Sequence, residues 1–490
     1  MTQHRVFQQR LSRTLPLALA ILLTGCAVGP DYVRPENPLP ASFSPKIPAT
    51  SPSTAEVAPQ PAAAVNPAWW SLFNDPTLDQ LIEQALRGNA DLRSAVARVE
   101  QADAAAREVG AGLFPNVDLQ ASGSNVQLSE KTATWSANSP EILRARSAGL
   151  SLSYELDVWG RVRRSNEAAR ASLLASQYGR DSIQLSIAGL VASHYLNLRA
   201  LDAQLAVTQA SLKSREDSAA LVRSRVAAGL VSALDQHQAD SAVAALQAQY
   251  AELRRRRALL EHQLALLCGQ PGLDIASNAN SLPLPPLPPS GLPANLIENR
   301  PDVRQAEQAL IAATANIGVA KAAYYPRFSL TGMLGSESKT LSDLFSGPAS
   351  TWRGGLSLLL PILDFGRTTA RVDQAQSLNQ QALIAWQKTL ETAYKEVRDA
   401  LVNLREQGET ETAEQRRVDN TQKALDLARL RYDAGYSAYL EVLDAQRNLN
   451  DAQLAQITTR QARLNAAVEL FKALGGGFNG ANQNGATLAP

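Results

Sequence analysis

The sequence contains few of the residues that carry catalytic, metal or redox chemistry. Its 490 residues include two cysteines and four histidines, and they form no Ser/His/Asp or metal-ligand motif, so we predict neither a catalytic residue nor a metal site. Aromatic residues make up 5% of a chain that is 45% hydrophobic. The apolar content is therefore mostly alanine and leucine, which is typical of long helices. Lysine and arginine (47) balance aspartate and glutamate (46), whereas nucleic-acid-binding proteins show a basic excess.

The N-terminus has the layout of an export signal. A basic start is followed by an apolar run over 15–23, which is shorter than the roughly 20 residues that span a bilayer. The run ends in Leu-Thr-Gly-Cys26, which resembles the lipobox of bacterial lipoproteins. Residues 1–25 are therefore predicted to be a signal peptide, and Cys26 to carry a covalent lipid such as palmitate. A plain signal peptide with an incidental cysteine is the alternative. Ala27 stands where lipoproteins of the inner membrane have aspartate, which favours the outer membrane.

Helical and strand periodicities alternate along the rest of the chain. Residues 26–66 are rich in proline, alanine and serine and are predicted to be an extended, lipidated tether. Asp75 and Pro76 form a good helix start, and period-two alternation later indicates strands with one apolar face. The predicted elements are a helix from Asp75 to about Ala111, strands from Val117 and over Leu150–Val158, and long helices over 161–226 and 232–267. The first long helix would measure roughly 100 Å.

The same order of elements occurs twice. The offset is 211 residues between Pro115 and Pro326, and 206 residues between Gly160 and Gly366, which indicates an internal repeat. The second half is predicted to contain strands from Phe328 and Trp352, and long helices from Asp364 to about Tyr432 and from Ala438 to Leu474. The two repeats are placed at 67–280 and 298–477, with a Pro-rich linker at 281–297 and a disordered tail at 478–490.

Four strands cannot close on themselves, because the smallest barrel formed by one chain has about eight. Strands that cross a membrane need a closed sheet. Several chains are therefore expected to share one barrel, continued by the long helices as a tube. Such an assembly is a conduit rather than a reaction vessel.

Several motifs together resemble the outer-membrane efflux protein family (TolC/OprM-like). They are Trp69–Leu86, Phe114–Pro115, Asp364–Arg367 and residues 432–446, YDAGYSAYLEVLDAQ. The lipobox, residues 29–32 (GPDY) and residues 474–477 (LGGG) are similar to the NodT-type lipoprotein branch, which serves RND efflux systems. The resemblance covers nearly the whole mature chain. It implies a mainly α fold with membrane β-strands: a homotrimer with a shared twelve-stranded β-barrel, four strands per chain, continued by a long periplasmic α-helical barrel.

The resemblance also implies a location and partners. Such a chain lies in the cell outer membrane, here lipid-anchored, and extends into the periplasm. Its partners are a periplasmic adaptor (membrane fusion protein) and an inner-membrane RND pump, with no nucleic acid. No cofactor is implied apart from the covalent lipid on Cys26.

The resemblance places a periplasmic aperture where the helix pairs turn, at Gly229 and Gly435. Leu440, Glu441 and Asp444 follow the second turn, and Leu440 and Asp444 share a helix face because they are four residues apart. Threefold symmetry would make an apolar ring and an acidic ring. Three close carboxylates repel each other, which favours bound cations or raised pKa values. A solvated helix face is the alternative.

Asp235 and Tyr432 align with a family pair whose hydrogen bond ties the two helix pairs together as a lock. Ser437 stands where TolC-like members have a further latch arginine, so part of that lock is missing from this sequence. A net hydrogen bond contributes about 1 kcal/mol, so several per trimer would bias a gate.

These inferences predict a passive exit duct for drugs or other small solutes, gated at its periplasmic end, in a tripartite RND-type efflux pump. One alternative keeps the duct and assigns it to type I protein secretion. A second alternative, from a different class, is a structural coiled-coil lipoprotein of the envelope. The alternating strands argue against that second alternative, because a spacer needs none.

Overall fold

The computed structural model describes residues 27–36, 39–40, 43, 68–131, 135–136, 140–280, 283–286 and 294–476. These residues form seven α-helices and four strands. The helices are α1 (Pro76–Gly88), α2 (Ala90–Ala111), α3 (Arg161–Ala227), α4 (Ala233–Cys268), α5 (Pro301–Ala322), α6 (Arg367–Asp433) and α7 (Tyr439–Ala473). The strands are β1 (Asn116–Gln127), β2 (Ile142–Leu156), β3 (Arg327–Ser338) and β4 (Ser350–Leu359). Short 3₁₀ helices cover Trp69–Phe73, Ala294–Asn299 and Gly347–Ala349.

The element order repeats as predicted, and the two halves agree in detail. Helices α3 and α6 have 67 residues each, and α4 and α7 have 36 and 35. Each half therefore contains a 22-residue helix (α2 or α5), two strands, a very long helix, a turn and a second long helix, and α1 precedes this series in the first half. Cys26 and most of the predicted tether lie outside the described residues.

The four strands form one antiparallel sheet in the order β1-β2-β3-β4. Val117 lies opposite Leu152, Leu152 opposite Gly332, and Leu330 opposite Leu356. The predicted alternation is confirmed for the segments from which it was read, because this register brings Val117, Leu152 and Leu330 to one face and Asp118, Ser151 and Ser329 to the other.

Strand β2 differs from the prediction at both ends. It begins at Ile142, eight residues before the predicted start at Leu150, and it ends at Leu156 rather than Val158. The end is set by Asp157, whose carboxylate accepts hydrogen bonds from the backbone N–H groups of Val162 and Arg163, each at 2.9 Å. These bonds satisfy the first N–H groups of α3 and so end the strand.

The chain divides into two compact units. The sheet unit comprises residues 27–36, Val99–Ser176 and Ala306–Trp386, and so contains all four strands. Its N-terminal segment 27–36 has no helix or strand and packs within the same unit. The N–H of Val28 donates to Trp159 O at 3.0 Å, Asp31 pairs with Arg164, and Tyr32 Oη donates to Glu307 Oε1 at 3.1 Å.

The second unit, here called the helical unit, is formed by the described residues of Asn37–Arg98, Gln177–Gln305 and Gln387–Pro490. One hydrophobic core of this unit, here called the Trp69 cluster, includes the 3₁₀ helix residues Trp69 and Phe73. Its largest fully buried members are Trp69, Phe73, Leu78, Ile82, Tyr195, Leu196, Leu198 and Leu264. The free cysteine Cys268 is buried in the same cluster, as expected for a small apolar side chain.

A single helix from Asp75 to about Ala111 was the wrong prediction. Asp75 and Pro76 do begin a helix, with the Asp75 carboxylate accepting from Thr77 N at 2.9 Å. The helix then ends at Gly88, and Asn89 takes an extended conformation with ψ of 131°. Its side chain starts α2 by accepting from Asp91 N at 2.9 Å and donates to Leu267 O at 2.9 Å. A tertiary contact therefore fixes the break.

Among the residues that the structure describes, no helix combines the length and the apolar character needed to cross a membrane.

Candidate functional site

The two long helix pairs of the helical unit reverse direction in turns of the same construction. Gly229, after α3, and Gly435, after α6, have φ of +72° and +79°, a conformation that favours glycine. In each turn the glycine N–H donates to the carbonyl three residues earlier, and the following N–H donates to the carbonyl five residues earlier, at 2.8–3.0 Å. This is the Schellman arrangement. The sequence therefore located both turns correctly.

The three predicted aperture residues lie at the start of α7, directly after the second turn. Leu440 is 50% exposed, and Glu441 and Asp444 are exposed. Each carboxylate is close to an arginine. Glu441 Oε1 lies 3.2 Å from Arg431 Nε at the end of α6, and Asp444 Oδ1 lies 3.2 Å from Arg447 Nη2, one turn further along α7.

These ion pairs modify the acidic ring that the sequence predicts. Exposed pairs of this kind stabilise a fold by about 0–1 kcal/mol. They also place positive charge beside both carboxylates, which lowers the mutual repulsion expected of three such groups. The aperture stays a prediction for the assembled protein. Arg431 and Arg447 are now included in it, because they pair with its two carboxylates.

The predicted lock residues, Asp235 and Tyr432, both lie near Tyr439, but Tyr432 makes no hydrogen bond to Asp235. Tyr432 Oη is buried without a hydrogen-bond partner among the described residues. Its ring packs instead against Tyr439, with a centroid distance of 5.4 Å, and under the guanidinium of Arg225, 5.1 Å from the ring centroid. The second contact is a cation–π interaction. The hydrogen bond between Asp235 and Tyr432 therefore stays a prediction for the assembled protein. Among the described residues, the Tyr432 hydroxyl has no partner.

Two arginines at the turns were not identified from the sequence. Arg225 and Arg431 are related by the 206-residue offset of the repeat, and that offset was the signal that could have found them. Arg225 contacts Tyr432 and lies 3.9 Å from Asp433 Oδ1. Ser437, the position without the latch arginine, has a buried Oγ that lacks a partner in the described part of the chain.

A second hydrophobic core, here called the Tyr439 cluster, supports the turns. Its buried members are Ala219, Val222, Ala239, Leu425, Ala428, Tyr439, Val442 and Leu449. They come from α3, α4, α6 and α7, so the cluster ties both helix pairs together behind the aperture residues. Burial is the main cause that raises the pKa of Tyr439, which keeps this phenol neutral.

Three polar side chains are buried beside this cluster without full hydrogen bonding. Arg215, Gln446 and Asn450 are 8%, 7% and 3% exposed. Arg215 Nη1 donates to Ala242 O at 3.3 Å, whereas Arg215 Nε, both amide atoms of Gln446 and Asn450 Oδ1 have no partner among the described residues. Burial lowers the pKa of Arg215. Each unmade bond costs about 1–3 kcal/mol unless water supplies it.

The arrangement of repeated strands, long helix pairs and turns also occurs in known proteins. The outer membrane efflux protein family matches residues 81–270 and 292–476. The chain belongs to the outer membrane efflux protein family. The family recognised from the motifs is thereby confirmed.

Relatives of this efflux protein extend over nearly its whole length. The solvent efflux pump outer membrane protein SrpC of Pseudomonas putida is 36% identical over 95% of this chain and 98% of its own. The cation efflux system protein CusC of Escherichia coli (strain K12) is 33% identical over 95% of this chain and 99% of its own.

A solved structure of a membrane protein from Pseudomonas aeruginosa superimposes with a TM-score of 0.84, at 32% identity, over 92% of this chain and 97% of that one. The mainly helical, TolC-like fold with one four-stranded sheet is therefore confirmed for this efflux protein.

Proposed function

We propose that this chain is the outer-membrane duct of a tripartite RND-type efflux pump and a passive exit for drugs or other small solutes. The observation that carries the proposal is the near full-length similarity to outer membrane proteins named for solvent efflux and cation efflux. The energy would come from the inner-membrane pump, and the duct itself would have no catalytic role.

The assembly in this proposal is a homotrimer in the outer membrane, anchored by a lipid on Cys26 and extending into the periplasm. Two features of the chain support it. Strands β1 and β4 are the edges of the sheet in the described part of the chain, and unpaired edges are available to further copies. The exposed residues at the helix turns, among them Leu230 (74%) and Tyr436 (80%), suit contact with a periplasmic adaptor.

The gate in this proposal lies at Leu440, Glu441 and Asp444. Three copies would bring these side chains together around one axis, with Leu440 as the apolar constriction and the carboxylates as a site for cations. Arg431 and Arg447 would then compete with those cations for the carboxylates. Release of Glu441 from Arg431, which sits on the neighbouring helix, would accompany any movement of α7 relative to α6.

One experiment in cells and one in bilayers test the proposal. Deletion of the protein is expected to raise the accumulation of several members of a panel of dyes, antibiotics, solvents and metal ions, and the wild-type chain should restore export. In planar bilayers, Asp444→Asn is expected to weaken block by divalent cations several-fold. Glu414→Gln is the matched control, because Glu414 pairs with Arg417 at 3.2 Å in the same i,i+3 geometry on α6.

Unchanged accumulation of the whole panel, together with loss of a secreted protein, would favour type I secretion over efflux. Equal effects of Asp444→Asn and Glu414→Gln on cation block would contradict the placement of the gate.

A further inference from the structure

The sheet unit contains an aromatic contact at one end of the β2–β3 pair. Trp159, which follows β2, stacks on Tyr325, which precedes β3, with ring centroids 4.6 Å apart and planes 27° apart. Its indole Nε1 also donates to Pro326 O at 2.8 Å. The contact joins the residues that leave one strand to the residues that enter the next.

The internal repeat supplies an equivalent for each partner. The 206-residue offset relates Trp159 to Phe365, which follows β4, and the 211-residue offset relates Tyr325 to Phe114, which precedes β1. The first offset is supported by identical tetrapeptides, Gly-Leu-Ser-Leu at 149–152 and at 355–358. The repeat therefore predicts a contact between Phe365 and Phe114.

Within one chain this contact is not made. Phe365 is 91% exposed and Phe114 is 71% exposed, although Trp159 and Tyr325 stack on each other. The local structure around the two junctions is otherwise alike. Gly160 and Gly366 have φ of +78° and +87°, and Asp364 accepts from the N–H of Thr368 at 2.8 Å, as Asp157 does from the start of α3.

The backbone conformation of Phe365 also indicates that this residue lacks a contact. Its φ is +53°, in the left-handed region that a bulky residue adopts at a cost and keeps only when its surroundings hold it there. None of the residues that the structure describes covers this ring, which is 91% exposed, so the packing that would hold the conformation is expected from a second copy.

Phe114 and Phe365, which do not contact each other within one chain, lie next to the two edge strands of the sheet. Phe114 precedes β1 and Phe365 follows β4, and these are the edge strands of the described sheet. Asn116 pairs with Ser153, and Arg327 with Leu359, so the start of β1 and the end of β4 lie at the same end of the sheet. Two strands separate them, and they cannot meet within one copy.

In the proposed assembly, β4 of one copy lies beside β1 of a second copy. We propose that these two strands pair in the register that the internal repeat sets, and that Phe365 stacks on Phe114 of the second copy. The occupant of the free edge is thus another copy of this chain. The inference rests on the proposed assembly of several copies and adds its register and its aromatic contact.

The register follows from the observed β2–β3 pairing. Leu152 lies opposite Gly332. Adding 206 to Leu152 gives Leu358, and subtracting 211 from Gly332 gives Ala121, so Leu358 is predicted to lie opposite Ala121 of the second copy. The neighbouring pair, Leu150 opposite Leu334, gives Leu356 opposite Gly123 in the same way.

Polarity provides an independent check on this register. Leu358 lies opposite Phe328 within its own chain, on the apolar face of the sheet, and Ala121 shares the face of Val117 and Leu119 because side chains alternate along a strand. A slip of one residue would instead set the apolar face of β4 against Asp118 and Gln120. The repeat offsets made no use of polarity, yet they match apolar residues with apolar residues.

Disulfide formation between copies tests the register. Residues directly opposite in an antiparallel pair have Cα atoms about 4.5–5.5 Å apart, within the 4.4–6.8 Å range of disulfides. Leu358→Cys with Ala121→Cys, oxidised in native membranes, is expected to give covalent oligomers on non-reducing gels. Leu358→Cys with Gln120→Cys is the control for the opposite face, and Leu358→Cys with Leu119→Cys is the control for a two-residue slip. Both controls should cross-link at least tenfold less.

The outcomes separate the inference from the proposal on which it rests. Efficient cross-linking by a control pair and not by Leu358→Cys with Ala121→Cys overturns the register and leaves the assembly standing. A monomeric mass for the purified wild-type protein in detergent overturns both.

A double-mutant cycle tests the aromatic contact. Phe365→Ala and Phe114→Ala are each expected to lower the temperature at which the oligomer dissociates in detergent, and the double variant should be no worse than the more affected single variant. Phe345→Ala removes a ring that is 82% exposed in the β3–β4 connection and should have no effect. Fully additive shifts would overturn the contact.

Discussion

The Trp69 cluster and the Tyr439 cluster differ in how the buried charges beside them are bonded. Beside the Trp69 cluster, Arg199 is 7% exposed and each of its three side-chain nitrogens donates a hydrogen bond. It donates to Asp75 Oδ2 at 2.9 Å, to Tyr195 Oη at 2.8 Å, and to two carbonyls of the segment 278–280. Beside the Tyr439 cluster, Arg215 is equally buried, yet it has one bond to a carbonyl and no ion pair within the described residues.

Tyrosine hydroxyls show the same difference. Tyr195 Oη donates to Asp75 Oδ2 at 2.7 Å while it accepts from Arg199. Tyr432 Oη has no partner in the part of the chain that the structure describes. A network with every member satisfied resists rearrangement, whereas a region whose polar groups are already unsatisfied loses little when its helices shift. The cluster behind the proposed gate is thus the one that is easier to move.

Matched removal of the two buried arginines is the strongest test of this comparison. Arg199→Met leaves the Asp75 carboxylate buried without its cation, which is expected to lower the free energy of unfolding by about 3–5 kcal/mol. Arg215→Met removes a buried charge that has no ion pair among the described residues, and it is expected to change the free energy of unfolding by less than about 1 kcal/mol. Urea unfolding of the solubilised protein at one fixed concentration, followed by circular dichroism, measures both values.

Equal losses for the two arginine variants would show that the clusters do not differ in the way their contacts indicate. Asp75→Asn serves as a control for the first arm, because it removes the opposite partner of the same pair and should also destabilise the fold.

Removal of one oxygen atom in each region sharpens the comparison. Tyr195→Phe deletes a hydroxyl bonded to two charged groups and is expected to cost about 1.5–3 kcal/mol of unfolding free energy. Tyr432→Phe deletes an unsatisfied hydroxyl and is expected to be neutral or slightly stabilising. Thermal unfolding of both variants beside the wild type decides the sign, and a loss for Tyr432→Phe similar to that for Tyr195→Phe would mean that Tyr432 has a partner in the assembled protein.

Most of the fold could be predicted because it rests on local periodicity. The ends of the long helices were predicted within a few residues, since Gly229 and Gly435 end helices by their own conformation. The break at Asn89 could not be predicted, because it depends on a bond to Leu267, 178 residues away. The early start of β2 was missed since residues 142–149, ILRARSAG, do not alternate between apolar and polar side chains.

Less of the candidate site could be predicted, because its contacts cross between helices. The pair of Glu441 with Arg431 depends on how the turn brings α6 and α7 together. Gln446 and Asn450 resemble solvent-facing residues of an amphipathic helix, and only the packing of α7 shows that they are buried. A sequence pattern gives the face of a helix, but it does not say which polar residue that face will bury.

The smallest effect that we expect concerns acid stability, and it also distinguishes the two regions. His194 lies on α3 beside Tyr195 in the Trp69 cluster region, and burial lowers its pKa from the ordinary value of 6.5. Below about pH 6.5 the unfolded chain therefore binds a proton that the folded chain does not, so the stability is complete above that pH and is lost as the pH falls. His194→Gln is therefore expected to reduce the loss of unfolding free energy between pH 7 and pH 5, because glutamine takes up no proton in either state. His237→Gln is the matched control in the gate region, because it removes a histidine that is exposed on α4. A reduced loss for His237→Gln and not for His194→Gln would mean that the acid-sensitive region lies at the helix turns and not at the Trp69 cluster. The Tyr439 cluster would then not be the region whose stability is independent of this titration.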